Sequence, residues 1–203
     1  MSIKVSVIIP VYNQEKLVIR ALESIPKRDD IEIIVIDDKS IDNTWDNILN
    51  YCKENPTYNI ITVIQSENRG VADTVNTGYD LATGEYVVLL GSDDYFYTEN
   101  FLKILDKLDG TDLVYFNLII NNGDIWRLTP ETKTGYCGSV KFMRRDFIGD
   151  TRNPKNKRAR EDFYFYKDLL RKNPTEIFTD INVKHYNYPR NGSLTDLVKK
   201  GRL

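Results

Sequence analysis

Four short, continuous apolar segments alternate with amphipathic segments over the first half of the chain. They are Val5–Val11, Ile31–Ile36 (broken only by Glu32), Ile60–Ile64 and Tyr86–Leu90. Continuous apolar runs of this length predict strands that are covered on both faces, as in parallel sheets. The segments between them carry apolar residues at helical spacing, in Gln14–Ile25, Thr44–Cys52 and Val71–Ala82. This alternation predicts an α/β fold with a mostly parallel sheet flanked by helices.

The second half continues the series without a linker or an internal repeat. Its predicted elements are a helix (Phe101–Leu108), a strand (Leu113–Ile120), a hairpin turn (Asn121–Asp124) with a returning segment (Ile125–Leu128), a short helix or strand (Ser139–Phe147), a helix (Phe163–Arg171) and a last strand (Ile177–Val183). Because nothing marks a boundary, we expect a single domain spanning residues 1–203.

Two of the predicted strands end in a pair of acidic residues. Asp37-Asp38 follows the second strand, and Asp93-Asp94 follows the fourth after a break at Gly91-Ser92. The carboxyl ends of parallel strands face the crevice where α/β proteins bind ligands. Adjacent carboxylates repel each other, so a divalent cation such as Mg²⁺ or Mn²⁺ with a phosphorylated ligand would suit them. The alternative is a pair of solvated turns that merely close the strands.

Composition and missing motifs narrow the choice of function. No Gly-x-Gly-x-x-Gly or phosphate-loop pattern follows the first strand, which disfavours dinucleotide oxidoreductases and phosphate-loop NTPases. A net charge of −2 gives no general attraction to nucleic acid or anionic membranes. With two cysteines, no signal-peptide pattern and no apolar stretch near the length of about 20 residues that spans a bilayer, we expect a cytoplasmic protein.

A basic segment and an acidic pair stand out in the last quarter. Thr151–Arg160 is polar, basic and without apolar anchors, which favours a solvated, mobile loop, although such a loop could also close over phosphates as a lid. Glu161-Asp162 follows and opens a predicted helix. Acids in the first turn of a helix are stabilised by its dipole, so a structural explanation stands beside a catalytic one.

Five stretches, taken in order along nearly the whole chain, resemble the inverting family 2 glycosyltransferases, which have the nucleotide-sugar-binding fold called GT-A. They are Val5–Asn13, Ile34–Thr44 (with Lys39 where glycine is common), Asn68–Tyr86, Gly91–Asp94 and the pair Glu161-Asp162. The resemblance implies a nucleotide-sugar-binding half over residues 1–97 and an acceptor-binding half over residues 98–203.

The resemblance also implies roles for individual residues. Donor binding would involve Pro10, Val11, Tyr12, Asp38, Asn76 and Asp93, with Asp38 at the base and Asp93 at the ribose or the metal shell. Asp94 would hold Mn²⁺ or Mg²⁺, which stabilises the departing diphosphate, and Asp162 would be the base that takes the acceptor proton. His185, the single histidine, would be a metal ligand or a diphosphate contact, with a structural role as the alternative.

One departure from the family and the identity of the acceptor leave alternatives open. Gly91 stands where the family commonly has Asp, so the chain lacks one carboxylate, and a nucleotide-sugar-binding protein without catalysis is a rival interpretation. A UDP-sugar is the favoured donor. A glycan or lipid-linked acceptor is favoured over a modified DNA base, although the basic run Lys155–Arg160 would suit phosphate contacts.

Overall fold

The computed structural model describes residues 2–135, 138–155, 160–191, 196 and 200. Within these ranges the strands are β1 (Val5–Val11), β2 (Ile31–Asp37), β3 (Ile60–Ile64), β4 (Tyr86–Leu89), β5 (Tyr95–Phe96), β6 (Leu113–Ile120), β7 (Ile125–Trp126), β8 (Lys141–Arg144) and β9 (Glu176–Tyr186). The α-helices are α1 (Val18–Glu23), α2 (Thr44–Glu54), α3 (Val71–Leu81), α4 (Thr98–Leu105), α5 (Arg145–Ile148) and α6 (Glu161–Leu170), and a 3₁₀ turn covers Lys133–Gly135.

The strands form one sheet in the order β3-β2-β1-β4-β8-β6-β9-β5, with β7 paired to β6. β1, β2, β3 and β4 are parallel, which confirms the predicted βαβ series. β8 then runs antiparallel to both β4 and β6, while β9 is parallel to β6. The α/β fold is therefore confirmed, with a parallel first half joined to a mixed second half.

A buried carboxylate fixes where β4 begins. Glu32 on β2 is 2% exposed and accepts hydrogen bonds from the Thr83 N–H (2.6 Å), the Thr83 hydroxyl (2.8 Å), the Gly84 N–H (3.2 Å) and the Ser6 hydroxyl. These donors lie in the turn before β4 and on the neighbouring β1. The one polar residue in the second apolar run thus ties together three adjacent strands, including the strand that leads to Asp93-Asp94.

The last strand is longer than its sequence pattern indicates. β9 covers Glu176–Tyr186, whereas Ile177–Val183 was expected, and it lies between β6 and β5. Its far end pairs antiparallel with β5, where Lys184 is opposite Phe96 and His185 is opposite Tyr95. Because β5 immediately follows the acidic pair, this register brings the end of β9 beside the tip of β4.

Two element boundaries differ from those predicted from the sequence. α1 begins at Val18 and not at Gln14, and the N–H groups of Asn13 and Gln14 donate to the Ser40 hydroxyl (2.9 Å) and the Thr44 hydroxyl (2.7 Å). The stretch Ser139–Phe147, left open between helix and strand, contains both β8 and the start of α5.

The described part of the basic segment is anchored to α3, so the expectation of an unanchored loop is wrong there. Asn153 is 5% exposed; its N–H donates to Asn76 Oδ1 (2.8 Å), and Asn76 Nδ2 donates to the Asn153 carbonyl (2.9 Å). Arg152 lies 2.6 Å from Asp80. Polar anchors thus replace apolar ones. The remainder of that prediction, residues 156–159, falls outside the described residues.

Among the described residues, no helix has the length and apolar character needed to cross a bilayer.

Candidate active site

Asp94 is held between a buried lysine and a backbone N–H group. Its Oδ2 lies 3.1 Å from Lys184 Nζ, and its Oδ1 accepts a hydrogen bond from the Asn187 N–H at 2.9 Å. The Asp94 and Lys184 side chains are only 3% and 1% exposed. Both carboxylate oxygens therefore have partners within the protein.

Gly91 leaves the space that this arrangement needs. A Cβ atom at Gly91 would lie 2.8 Å from Asp94 Oδ2 and 3.1 Å from Asp93 Oδ1, closer than side chains pack. The glycine at a position where aspartate was expected is thus matched to the inward position of the Asp94 carboxylate.

Asp93 is the more exposed acid of the pair, and it too faces cations. Its Oδ2 lies 2.8 Å from Arg190 Nε, and its backbone carbonyl accepts a hydrogen bond from Arg20 Nη2 at 2.6 Å. Burial raises the pKa of Asp93 and the charge of Asp94 acts in the same direction, whereas Arg190 and Lys184 oppose both. The pKa of Asp93 is therefore raised overall, and the cations offset only part of the effect of burial and of Asp94.

His185 is held by stacking against an aromatic ring. Its ring lies on Tyr95 with centroids 4.5 Å apart and planes 6° apart, and its Nδ1 is buried without a hydrogen-bond partner among the described residues. Burial lowers the pKa of His185, and the charge of Arg20 lowers it further. A neutral, packed imidazole agrees with the structural alternative and leaves the ligand role a prediction.

The acids and the histidine do not assemble a metal centre. Both Asp94 oxygens are engaged, and Asp93 faces a guanidinium. In the described ranges, no three His, Cys, Asp or Glu side chains are grouped to hold a metal ion. The residues as placed do not fit a divalent cation, so the roles of Asp94 and His185 as its ligands stay predictions without geometric support.

The residues expected at the nucleotide base are brought together at the ends of β1 and β2. Asp38 accepts hydrogen bonds from the Arg69 N–H (2.7 Å) and the Gly70 N–H (2.8 Å), which fixes the turn before α3. Its own N–H donates to the Val11 carbonyl at 2.8 Å. Pro10 lies just before Val11 in β1, and the Tyr12 side chain that follows is 43% exposed.

The backbone conformation of Lys39 and two buried acceptors without partners are further features of this region. Lys39 has φ of +64°, a left-handed conformation that glycine adopts at little cost, which explains why glycine is common there. Asp37 is fully buried, and its Oδ2 has no hydrogen-bond partner among the described residues; the same holds for Gln65 Oε1 at the end of β3. Burial raises the pKa of Asp37. Buried unpaired acceptors at adjacent strand ends are expected where a ligand or water donates.

Asn76 does not join the base-binding residues. It is buried on α3 beneath Asn153 and lines a polar crevice of about 590 Å³ between α3 and the segment around Asn153, together with Arg69, Asp73, Thr77, Asp80, Asp150, Arg152 and Lys155. The structure therefore gives Asn76 an anchoring role, and its donor contact stays a prediction.

Asp162 lies in the first turn of α6 against a glycine. Its Oδ1 accepts a hydrogen bond from the Phe163 N–H at 2.8 Å, and its Oδ2 lies 3.1 Å from where a Cβ atom at Gly138 would be. Burial raises the pKa of the neighbouring Glu161. Of the two acids, Asp162 therefore has the better-defined position for a base.

A continuous series of contacts links the acidic tip of β4 to Asp162. Lys184, which pairs with Asp94, also donates a hydrogen bond to the Ser139 hydroxyl. Ser139 follows Gly138, where an added Cβ atom would lie 3.1 Å from Asp162 Oδ2. Lys184 thus lies between Asp94 and the turn that borders Asp162, although about 70 residues separate these two acids in sequence.

Sequence reasoning missed the residues that make this connection. Lys184, Arg190 and Ser139 belong to no pattern that marks chemistry. The only available signal was a lysine directly after the predicted strand Ile177–Val183, which the structure extends to Tyr186. Such a lysine needs an acid partner, which the acidic pair supplies.

An aromatic cluster borders the site beyond Lys184. The rings of Tyr186 and Tyr188 are stacked with centroids 5.6 Å apart and planes 7° apart, and the Trp126 ring lies 5.2 Å from that of Tyr188. Lys184 Nζ lies 5.6 Å from the Tyr186 ring centroid. All three rings are half-buried. We call Trp126, Tyr186 and Tyr188 the aromatic cluster.

Comparison with known proteins shows the family to which the chain belongs. The sequence profile of glycosyl transferase family 2 matches residues 6–180. The chain is 32% identical over 169 residues to the PGL/p-HBAD biosynthesis glycosyltransferase of Mycobacterium bovis (strain BCG / Pasteur 1173P2), a match over 76% of this chain and 64% of that protein. Matches to other curated relatives span as little as 16% of their length.

Solved structures share the fold. S. aureus TarS 1-349 in complex with UDP-GlcNAc superposes with a TM-score of 0.81 at 23% identity, over 94% of this chain and 60% of that chain. Mannosyltransferase PcManGT from Pyrobaculum calidifontis, in complex with GDP-Man and Mn²⁺, superposes with a TM-score of 0.71 at 20% identity, over 95% and 59%. These superpositions confirm the predicted fold.

Proposed function

Because the chain belongs to glycosyl transferase family 2, we propose that it transfers a sugar from a nucleotide-diphosphate sugar to an acceptor hydroxyl with inversion at the anomeric carbon, in glycan or surface polysaccharide biosynthesis. The observation that supports this most is the series of contacts from Asp94 through Lys184 and Ser139 to Asp162. This series connects the end of β4, which is proposed to bind the nucleotide, with the carboxylate that is proposed to accept the proton. We also propose the cytoplasm as the compartment, in keeping with the free thiol of Cys52.

The donor would occupy the ends of β1, β2 and β4. Tyr12 offers an exposed ring beside the base, and each Asp38 oxygen can accept a second hydrogen bond besides the one from the turn before α3. The complexes of TarS with UDP-GlcNAc and PcManGT with GDP-Man contain donors of this class. We keep a UDP-sugar as the first donor to test.

In the proposed reaction, Asp162 accepts the proton of the acceptor hydroxyl as its oxygen forms a bond to the anomeric carbon. The bond from that carbon to the diphosphate breaks on the opposite face, and the nucleoside diphosphate leaves with the bonding electrons. Gly138 would keep Oδ2 of Asp162 accessible at a fixed position.

A divalent cation, Mn²⁺ or Mg²⁺, is the cofactor that the sequence predicts, and the PcManGT complex contains Mn²⁺. At this tip the carboxylates are already paired with Lys184 and Arg190. The steps proposed here therefore use only residues of the chain.

A saccharide or lipid-linked saccharide is the proposed acceptor. The aromatic cluster supports it, because aromatic rings pack well against the C–H faces of sugar rings. A DNA acceptor has less support, since Arg152 and Lys155 of the basic segment are paired with Asp80 and Asp73.

The test compares Asp162→Asn with Asp168→Asn, a matched change on the same helix where the acid pairs with Arg171. Nucleotide release would be followed with a panel of UDP- and GDP-sugars and p-nitrophenyl glycosides as acceptors. We expect Asp162→Asn to lower transfer by about 100-fold or more with donor affinity unchanged, since only the base is lost. Wild-type transfer by Asp162→Asn would move the base elsewhere, with Glu161 next. Donor binding without transfer by the wild type would favour the rival, a nucleotide-sugar-binding protein without catalysis.

A further inference from the structure

The two acids at the tip of β4 each have a cation of their own. Arg190 Nε lies 2.8 Å from Asp93 Oδ2, and Lys184 Nζ lies 3.1 Å from Asp94 Oδ2. A third cation, Arg20, donates to the Asp93 carbonyl. Three positive charges therefore surround two negative ones, so the tip is not the bare acidic pair that its sequence indicates.

This charge arrangement works against a divalent metal. A metal on Asp94 would share its carboxylate with a buried ammonium, and like charges at such distances repel strongly where water is excluded. Gly91 supplies no additional carboxylate. Releasing Asp94 from Lys184 would also leave a buried charge without its partner, which is unfavourable.

Arg190 has unused donors at this position. Arg190 Nε lies 2.8 Å from Asp93 Oδ2, and among the described residues neither Nε nor the terminal guanidinium nitrogens have a hydrogen-bond acceptor. The side chain is 29% exposed. A guanidinium presents paired N–H groups in a planar fork that matches two phosphate oxygens. A diphosphate leaving group needs positive charge of this kind as its bond to the sugar breaks.

We propose that Arg190, supported by the Lys184–Asp94 pair, holds the donor diphosphate and stabilises it as the leaving group in place of a divalent metal. This rests on the proposed glycosyl transfer. The charge of Asp93, 2.8 Å from Nε, holds the guanidinium at this position, so that the two terminal nitrogens face the diphosphate. Lys184 keeps Asp94 from adding a second uncompensated negative charge beside it.

The experiment measures the affinity of UDP and GDP for the full chain by calorimetry, once in EDTA and once in Mn²⁺. We expect the wild-type dissociation constants to agree within about twofold between the two buffers. Arg190→Ala should weaken binding in EDTA by about tenfold or more, because the bidentate contact is lost. Mn²⁺ should restore part of that loss, since the change frees Asp93 for a metal.

Two controls separate this role from a general effect. Arg190→Lys keeps the charge without the fork and should fall between wild type and Arg190→Ala in EDTA. Arg171→Ala removes an exposed arginine paired with Asp168 on α6 and should bind like wild type. Thermal unfolding of each variant shows whether the fold is kept.

The results of the binding experiment separate the inference about Arg190 from the proposed transferase function. Wild-type binding that requires Mn²⁺ and is lost in EDTA overturns the inference and leaves the proposed transferase in place. Arg190→Ala that is folded and binds like wild type in EDTA removes Arg190 from the diphosphate site. If neither nucleotide binds in either buffer and no nucleotide sugar is turned over, the proposed function fails together with the inference.

Discussion

Replacing Glu32 with alanine should destabilise the protein far more than removing a surface glutamate. The change deletes the acceptor for the Thr83 N–H and the Ser6 hydroxyl, whereas the Gly84 N–H keeps the Ser6 oxygen at 2.8 Å. A buried donor left unpaired costs about 1–3 kcal/mol; the Ser6 hydroxyl is fully buried and the Thr83 N–H only partly, so we expect a loss of about 3 kcal/mol in the free energy of unfolding. Glu32→Gln keeps one acceptor oxygen and should lose about half as much.

Urea unfolding followed by circular dichroism measures this, with Glu54→Ala at the exposed end of α2 as the control. We expect the control to stay within about 0.5 kcal/mol of wild type, since surface changes away from special contacts have small effects. Equal m-values would show that the unfolded states are comparable. A loss below about 1 kcal/mol for Glu32→Ala would refute the idea that this carboxylate holds β4 to β1 and β2.

Three further predictions concern the site and its support. Gly138→Ala should displace Asp162 and lower kcat by about tenfold with little change in donor affinity, and equal kcat would contradict the contact. Trp126→Ala should raise KM for p-nitrophenyl glycosides by about tenfold without changing UDP affinity; an unchanged KM would exclude the aromatic cluster as acceptor site. Burial raises the pKa of Asp112, but its hydrogen bonds, led by that from the Thr175 N–H, hold it below the usual value. Its stabilising contribution is present above the ordinary aspartate pKa of 3.8 and is lost as pH falls through the lower folded value, so Asp112→Asn should flatten acid unfolding curves in that range.

The strands were predictable because their signal is local. β1, β3 and β6 begin and end at the residues that the apolar runs indicate. β1 and β6 are buried on both faces, as a continuous apolar run predicts, whereas β3 at the edge of the sheet is only half-buried and Ile64 is 39% exposed. The start of α1 was not predictable in this way, because the segment before it is held by hydroxyls about 30 residues downstream, which a local pattern does not show.

The residues of the candidate site were likewise predictable only where their sequence signal is local. The acids at the strand tips were visible in sequence because two carboxylates after a buried strand form a local pattern. The cations were not, because the pairing of Lys184 with Asp94 depends on the register between β5 and β9. The acidic residues of the site could therefore be predicted from the sequence, whereas its basic residues could be identified only from the pairing of the strands.

The position of β9 also sets the order in which the site can form during synthesis. Lys184 and Asp94 are 90 residues apart, and β9 enters the sheet between β6 and β5, which have both left the ribosome earlier. Pairings of such long range form late, because a large loop must close before their contacts can stabilise the chain. A nascent chain that ends before β9 can thus fold its βαβ units while Asp93 and Asp94 are still without cations. Nucleotide would be captured only once β9 has docked, so an unfinished chain would not sequester the donor.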